Sequence, residues 1–533
     1  MKLKILYIYP NETWGKSPKP ILTYFCRISN FLNSKNLLSK IEEKYLDLRF
    51  ERISEINPTD INNYRPALKK QIEKTYNEFN FDIIAISCYS SYCYLSTLEI
   101  ASIIKQEINK SILIIVGGAH VSSCPEDFQT PNMPIEIKES LQKKSINIID
   151  YLVLGEGEIP FYKFVNEILR SSKDSLLNKT KSEYNVLQSE YIENLNDLPI
   201  INLDLISNYK KDFNREQRLV YWLDLSRGCY FKCSYCPNSL GNKVMPSLIR
   251  FKSIERSIKE IKILNDMEWN KNNFLYISDE LFIPKKSLKL KFLNELEKNR
   301  KILTNNFTVF WVAERIDMFP LKMAEYYKKA NVTPYFGFES GSKKMLLRMG
   351  KLLGNSIKQQ DDNINYYLKK SMHIIKVMSK LRMMPYFNIL FGVPGEDKMT
   401  LRENFDFFLK KRVNGSSLIE KYQIYLKFNK YVAYPNSESY LNGENNYGAT
   451  IYYPNWWKRY DDDQYFKAIY VDPSKNLKIK ELYRKIYNFF LKVFEAQFSK
   501  KNPDYYNIKN KEDSLRDFNK TEFIQGYNYF MKK

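Results

Sequence analysis

The sequence predicts an α/β protein made of two successive parallel-sheet units followed by an aromatic-rich extension. Two observations predict it. Short apolar runs without alternation recur through residues 1–430, as in strands covered on both faces. Helical periodicities fill the intervals between them, the βαβ pattern of layered α/β domains. A length of 533 residues allows two or three such domains.

The first unit covers residues 1–165. Its predicted strands are LKILYIY (3–9), DIIAIS (82–87), ILIIVG (112–117) and YLVL (151–154). Leu98, Ala101, Ile104 and Ile108 fall on one helical face between the second and third strands, which predicts a doubly wound, Rossmann-like domain. Residues 166–215 read as a polar linker whose last part, DLPIINLDLI, docks on the next domain.

The second unit covers residues 216–430. Predicted strands lie at 221–226, 274–279, 307–313, 333–338, 386–391 and 422–428. Helical patterns separate them, one opening at the N-cap Ser253 with Ile254, Ile258, Ile261 and Leu264 on one face. Six βα units fit a partial barrel of (β/α)6 form, whose active site lies at the C-terminal strand ends. Residues 431–533, rich in Tyr, Trp and Lys and containing YYPNWWKRYDDD, read as a mixed or helical extension beside the barrel that caps the substrate site.

Composition excludes several classes. Hydrophobic residues at 44% and charged residues at 27% are a globular balance. The net charge of +22 comes from scattered Lys, with no arginine-rich run and no nucleic-acid motif, so a solvated basic surface is expected rather than nucleic-acid binding. No apolar run reaches membrane-spanning length, and MKLKILYIYP is too short for a signal peptide; a cytoplasmic location is expected. Seven Cys in such a chain argue against a disulfide framework, and Cys26, Cys88, Cys93 and Cys124 read as buried small hydrophobes.

The other three cysteines carry chemistry. In LDLSRGCYFKCSYCPNS a strand ends at Ser226, Arg227 and Gly228 turn the chain, and Cys229, Cys233 and Cys236 follow as CxxxCxxC. Thiolates suit iron–sulfur clusters or zinc. Structural zinc wants four closed ligands, and no fourth Cys or His is near; His120 and His373 are the only histidines. A cubane cluster held by three Cys would keep one iron open to a chelating substrate.

CxxxCxxC after the first barrel strand resembles the radical S-adenosylmethionine superfamily. The resemblance implies a 4Fe–4S cluster on Cys229, Cys233 and Cys236, S-adenosylmethionine chelating the open iron, and Tyr235 beside the adenine. SDELF (278–282), with Ser278 and Glu280, resembles the stretch that meets the methionine moiety. FGFESGSKKMLLRMGK (336–351) resembles the family's GxESGS region, placing Glu339 and Ser340 at the ribose or methionine end. FGVPGE (391–396) resembles the turn on the adenine, with Gly392 and Gly395 allowing close backbone approach. Arg315 in WVAERID reads equally as a carboxylate ligand or a brace.

The first domain extends the resemblance. It lacks G-x-G-x-x-G after its first strand, which argues against a dinucleotide. SCYSS (87–91), VGGAHVSSCPED (116–127) and LGEGE (154–158) all follow strands, where ligands of open α/β sheets bind. GG-x-H, GEGE and the Leu-Pro linker are similar to the cobalamin-binding domain of one large radical S-adenosylmethionine subgroup. That likeness implies cobalamin contacts from Ser87, Tyr89 (or Tyr92), Gly117, Gly118, His120, Gly155, Glu156 and Gly157. D-x-H-x-x-G is absent, so cobalamin is expected base-off without a cobalt-ligating His; His120 is expected as a turn residue or tail contact.

The resemblance implies two molecules of S-adenosylmethionine per turnover, one supplying the methyl group by way of cobalt and one the 5′-deoxyadenosyl radical. The expected product is a methylated, unactivated carbon on a peptide or small natural product, with flavodoxin or ferredoxin as electron donor. Competing readings are a cobalamin-dependent radical cyclase or ring-contracting enzyme, a methylthiotransferase with a second cluster on Cys26, Cys88 and Cys93 or Cys124, and a non-enzymatic cobalamin sensor or electron carrier.

Overall fold

The computed structural model describes residues 2–13, 20–144, 147–171, 185–187, 190–213, 220–237, 248–266, 273–303, 307–352, 357–410, 412–413, 415–422, 424–461, 463–497 and 522–532. Two parallel sheets organise it. The first contains β1 (Leu3–Tyr9), β3 (Ile41–Asp47), β4 (Ile83–Ser87), β5 (Leu113–Gly117), β6 (Tyr151–Val153) and β7 (Asn185–Leu187), in the order β3-β1-β4-β5-β6-β7. Its central strands are covered on both faces; Ile5, Leu6, Ile83, Ile84, Leu113 and Ile114 are fully buried.

The second sheet contains β8 (Val220–Leu223), β11 (Asn273–Ile277), β12 (Phe307–Arg315), β13 (Val332–Glu339), β14 (Tyr386–Phe391) and β17 (Tyr425–Lys430). Its order, β17-β14-β13-β12-β11-β8, follows the chain, as in an open barrel. Two antiparallel pairs sit beside it: β9 (Ser226–Arg227) with β10 (Arg250–Phe251), and β15 (Arg412–Val413) with β16 (Ser416–Ser417).

Besides the short antiparallel pairs, three parallel strands depart from the sequence reading. β2 (Pro20–Leu22) lies within the first 165 residues yet pairs with β8 at the edge of the barrel sheet, with Pro20 opposite Val220. Proline is tolerated there because an edge strand leaves donors unpaired. β3 was not anticipated because its first half is charged. It is an edge strand, and Glu43 is satisfied by the Tyr7 and Ser29 hydroxyls at 2.6 and 2.7 Å. β7 falls in the stretch read as linker.

The helix Ile254–Asn265 starts as expected, with Ser253 accepting from the Arg256 N–H, and buries Ile254, Ile258, Ile261 and Leu264. The last segment contributes helices Glu438–Tyr447, Ile479–Gln497 and Glu522–Lys532. It lies not only beside the barrel but also on the first domain. Trp457 Nε1 donates to Asp127 at 2.7 Å, the Tyr460 hydroxyl donates to Glu99 at 2.6 Å, and Trp456 packs on Tyr92 with ring centroids 4.6 Å apart. No described helix is long and apolar enough to cross a membrane.

Candidate functional site

Two cavities open at the C-terminal strand ends and share a wall. The larger, about 630 Å³, is lined by Cys229, Cys233, Cys236, Tyr235, Glu280 and Glu339, together with barrel residues. The other, about 390 Å³, lies between the domains; Ser87, Tyr89, Gly117, Gly118, Gly155 and Gly157 line it from one side, Ser226, Gly228 and Ser278 from the other. Cys229 and Glu280 line both. Both volumes are in the range of small-molecule and cofactor sites.

The thiol loop is held at several points. Asp279 accepts from the Leu225 and Ser226 N–H groups at 2.7 and 2.9 Å and from the Ser226 hydroxyl at 2.7 Å, fixing the approach to the loop. Burial raises the Asp279 carboxyl to about 7, against the pull of those donors. Ser234 N–H donates to the Met349 carbonyl at 2.9 Å, and Ser439 N–H donates to the Ser234 carbonyl, also at 2.9 Å. Arg315 Nη1 lies 3.9 Å from Cys233 Sγ, with its guanidinium 3.5 Å from the Phe231 ring centroid. Asp317 grips that guanidinium at 3.0 and 3.1 Å, and the Lys351 carbonyl accepts from it at 2.7 Å. Arg315 is thus a brace of the thiol loop, and its cation lies beside the Cys233 sulfur.

Glu339 reaches the cavity through a break in β13. It adopts φ +63°, and the register against β14 shifts between Gly337 and Glu339. A non-glycine residue in the left-handed region is strained and is kept where its surroundings require it. The break turns the carboxylate inward, where Lys351 Nζ meets it at 3.1 Å. Tyr235, beside the thiols, has its phenol held well above its ordinary value by burial and by Glu339.

Several expected residues stand elsewhere. The same break leaves Ser340 fully buried, its hydroxyl accepting from Ser342 N–H at 3.1 Å, so it does not line the cavity. Gly392 and Gly395 do not line it either. Gly392 N–H donates to Glu396 at 2.7 Å, and a Cβ on Gly395 would lie 2.8 Å from Arg348 Cδ. These glycines serve protein packing. Burial raises the Glu396 carboxyl from 4.5 to about 8. Between those values the folded chain binds one more proton than the unfolded chain, so stability falls as pH rises, by about 1.4 kcal/mol per unit. Glu396→Gln removes this slope; urea unfolding from pH 5 to 8 should show the variant gaining on the parent as pH rises, and a constant difference would refute the assignment.

His120 is buried away from the interdomain cavity. Its Nδ1 lies 2.9 Å from Ser91 Oγ, its Nε2 3.4 Å from Asp127, and Tyr94, Phe128 and Trp457 surround the ring. Glu156 lines the cavity, but its carboxylate is taken by Arg227 at 3.2 Å and Arg250 at 2.5 Å. Glu158 pairs with Arg227 at 2.8 Å. Asp224 joins Arg227 at 2.9 Å and Arg27 at 2.5 Å. Burial opposes the charge on Asp224, yet Arg27, Lys252 and Arg227 hold the carboxyl well below its usual range. The GEGE carboxylates therefore fasten the two domains through partners distant in sequence. No described residue beyond Lys427 lines either cavity; the described part of the extension clamps the two domains.

Gly118 is required by geometry. At φ +113° its Cβ would lie 2.6 Å from the Cys88 carbonyl oxygen. Gly118→Ala should cost about 1–3 kcal/mol from backbone strain alone, read as a lower denaturation midpoint; an unchanged midpoint would show that the turn relaxes.

Among the described residues no three ligating side chains converge tightly enough for a single metal ion, whereas all three thiols line one cavity. That donor set suits a cluster of several irons. The small side chains of Ser87, Gly117, Gly118, Gly155 and Gly157 along one wall leave room for a bulky ligand to approach the backbone. Cys26, Cys88, Cys93 and Cys124 are buried and line neither cavity; burial pushes the Cys26 thiol up to about 12.

Comparison with known proteins agrees with this geometry. The B12 binding domain family matches residues 51–165 and the Radical SAM superfamily matches residues 223–408. The chain is a radical S-adenosylmethionine protein with an N-terminal cobalamin-binding domain, and its cofactors are a 4Fe–4S cluster, S-adenosylmethionine and cobalamin. It is 25% identical over 439 residues to an uncharacterized methyltransferase of Pyrococcus horikoshii, covering 79% of this chain and 81% of that protein. Its fold is similar to that of the radical S-adenosylmethionine methyltransferase TsrM from Kitasatospora setae (TM-score 0.57, 15% identity, 82% of this chain and 75% of that one). It is also similar to the cobalamin-dependent S-adenosylmethionine radical enzyme OxsB (TM-score 0.61, 16% identity, 99% of this chain and 72% of that one).

Proposed function

We propose that this chain methylates a carbon of a small-molecule or peptide substrate, using S-adenosylmethionine both as methyl donor and as radical source. One observation carries the reading: the thiol-lined cavity and the glycine-floored cavity meet at Cys229 and Glu280. Together the bound groups supply reductive cleavage of a sulfonium and a cobalt centre able to relay a methyl group, chemistry a nucleophilic acceptor would not need.

The chain's own residues hold and orient these groups. Cys229, Cys233 and Cys236 are the cluster ligands, and Arg315 offsets thiolate charge at Cys233. The Glu339–Lys351 pair offers a carboxylate and an ammonium to the zwitterionic end of S-adenosylmethionine. Tyr235 and Glu280 flank the same cavity, and Ser278 faces the junction from the barrel side. Ser87, Gly117, Gly118, Gly155 and Gly157 form the floor for the corrin, with Tyr89 at its side. The Arg227 and Arg250 ion pairs fix the two cavities relative to each other. Cys26, Cys88, Cys93 and Cys124 are buried and line neither cavity, which counts against a second cluster open to the substrate site and so against a methylthiotransferase.

The test is product analysis with anaerobically reconstituted protein and a low-potential electron donor of the flavodoxin or ferredoxin class. Methyl transfer to carbon yields S-adenosylhomocysteine and 5′-deoxyadenosine in about equal amounts for each methyl delivered. 5′-Deoxyadenosine without S-adenosylhomocysteine would move the chain to oxidative or rearrangement chemistry.

A further inference from the structure

Among the described residues, no side chain fills the space inside the barrel sheet. Along β8, β11, β12 and β13, the outward residues Leu223, Leu275, Val312 and Phe336 are fully buried beneath the helices. Their inward neighbours Trp222, Tyr276, Trp311 and Tyr335 remain partly exposed. Small and closed barrels fill this space with layers of side chains. Here the inward rings instead wall the cavity that also contains the three thiols.

These rings form two groups across the strands, one around Tyr276 and one around Trp311, with Trp222, Tyr276, Trp311 and Tyr335 lining the cavity and Phe274 and Tyr386 packed behind them. Trp222 and Tyr276 lie 5.6 Å apart, Trp311 and Tyr335 5.5 Å, and Tyr335 stacks on Tyr386 at 4.8 Å. Phe274 stacks on Trp311 at 4.6 Å with planes 10° apart. Lys427 Nζ stands 5.9 Å from the Tyr335 ring centroid. The charged pairs Glu339–Lys351 and Arg315–Asp317 belong to the thiol end of this cavity, where a zwitterionic ligand fits. The aromatic end is not accounted for by that ligand's polar groups. Aromatic walls favour flat π-faces, which stack or meet edge-on, over branched aliphatic groups.

We propose that the aromatic end of the barrel cavity is the substrate site and that it takes a planar aromatic ring system. The proposal rests on the enzymatic reading above and names its substrate class. Placing the substrate here puts it in the same cavity as the thiols, where S-adenosylmethionine would be cleaved.

The experiment uses the full chain with its cluster, and equilibrium dialysis against 2-naphthoate and its saturated analogue decahydro-2-naphthoate. Binding of 2-naphthoate, at least tenfold tighter than the analogue, is expected. Trp311→Leu should weaken it at least tenfold by removing a wall. Ala313→Trp, which fills the cavity beside Tyr335 while keeping the walls, should do the same, so the result stands even if the first variant does not fold. No binding, equal binding of the two probes, or indifference to Ala313→Trp would overturn the proposal. Competitive displacement by S-adenosylmethionine would also overturn it, because the rings would then belong to the adenosyl site. Failure of the methyl-transfer reading is separable: it would appear in the product ratio whether or not naphthoate binds.

Discussion

Replacing Cys229, Cys233 or Cys236 with alanine should abolish the visible iron–sulfur absorption and take reconstituted iron from about four per chain to near zero. The effect is expected to be complete because, among the described residues, no other thiol and no imidazole lines this cavity. The remaining cysteines are buried and line neither cavity, and His120 is enclosed by Ser91, Asp127 and three aromatic rings. The loop backbone should survive the change, since Asp279, Met349 and Ser439 hold it through groups other than the thiols. Iron and sulfide assays with absorbance spectra check this. Cys88→Ala is the control and should keep its iron. About four irons per chain in all three loop variants would refute the ligand assignment.

Arg250→Met should destabilise the chain by about 1–3 kcal/mol, because the buried Glu156 carboxylate loses one of its two cationic partners and keeps Arg227 at 3.2 Å. Arg250 and Glu156 are 4% and 7% exposed, which makes water a poor substitute for the lost partner. Arg250 bonds Glu156 through both terminal nitrogens and also donates to the Ile192 carbonyl at 2.6 Å. Because the pair joins the first domain to the barrel, cobalamin retention should fall together with the denaturant midpoint. Adding Glu156→Gln should restore part of the loss, as expected when the cost is an uncompensated carboxylate. A single-variant cost below about 1 kcal/mol, the size of a surface pair, would show that the junction is solvated. Salt should change the cost of Arg250→Met little, since buried pairs are weakly screened.

Local chemistry made a large part of the site legible. The thiol spacing, the glycines after β5 and β6, and Ser87 and Tyr89 after β4 are groups whose use follows from being at a strand's C-terminal end. That end is fixed by short-range patterning, and the structure brings these residues to two adjoining cavities. Asp279 and Arg315 were harder to read. Each lies in a segment that draws attention, SDELF and WVAERID, but their partners are Ser226, Cys233 and the Lys351 carbonyl, groups distant in sequence.

Facing was not legible. Whether Glu339 or Ser340 meets the cavity depends on the register break in β13, and a shift of one residue exchanges the two faces of a strand. Gly392, Gly395 and Ser340 have the expected place along the chain but turn toward Glu396, Arg348 and Ser342.

The sequence by itself determined the two parallel-sheet units, the thiol triad and the small-residue turns, because apolar period, ligand spacing and backbone freedom are properties of neighbouring residues. Only the tertiary structure decided that Pro20–Leu22 joins the barrel sheet, that the GEGE carboxylates fasten the domains, that Trp456 and Trp457 pack on the first domain, and that the barrel's inward rings line the thiol cavity. Each of these depends on which surfaces meet after the chain has folded: a buried carboxylate takes the nearest cation, and an inward ring lines the cavity where no described side chain fills the space opposite it.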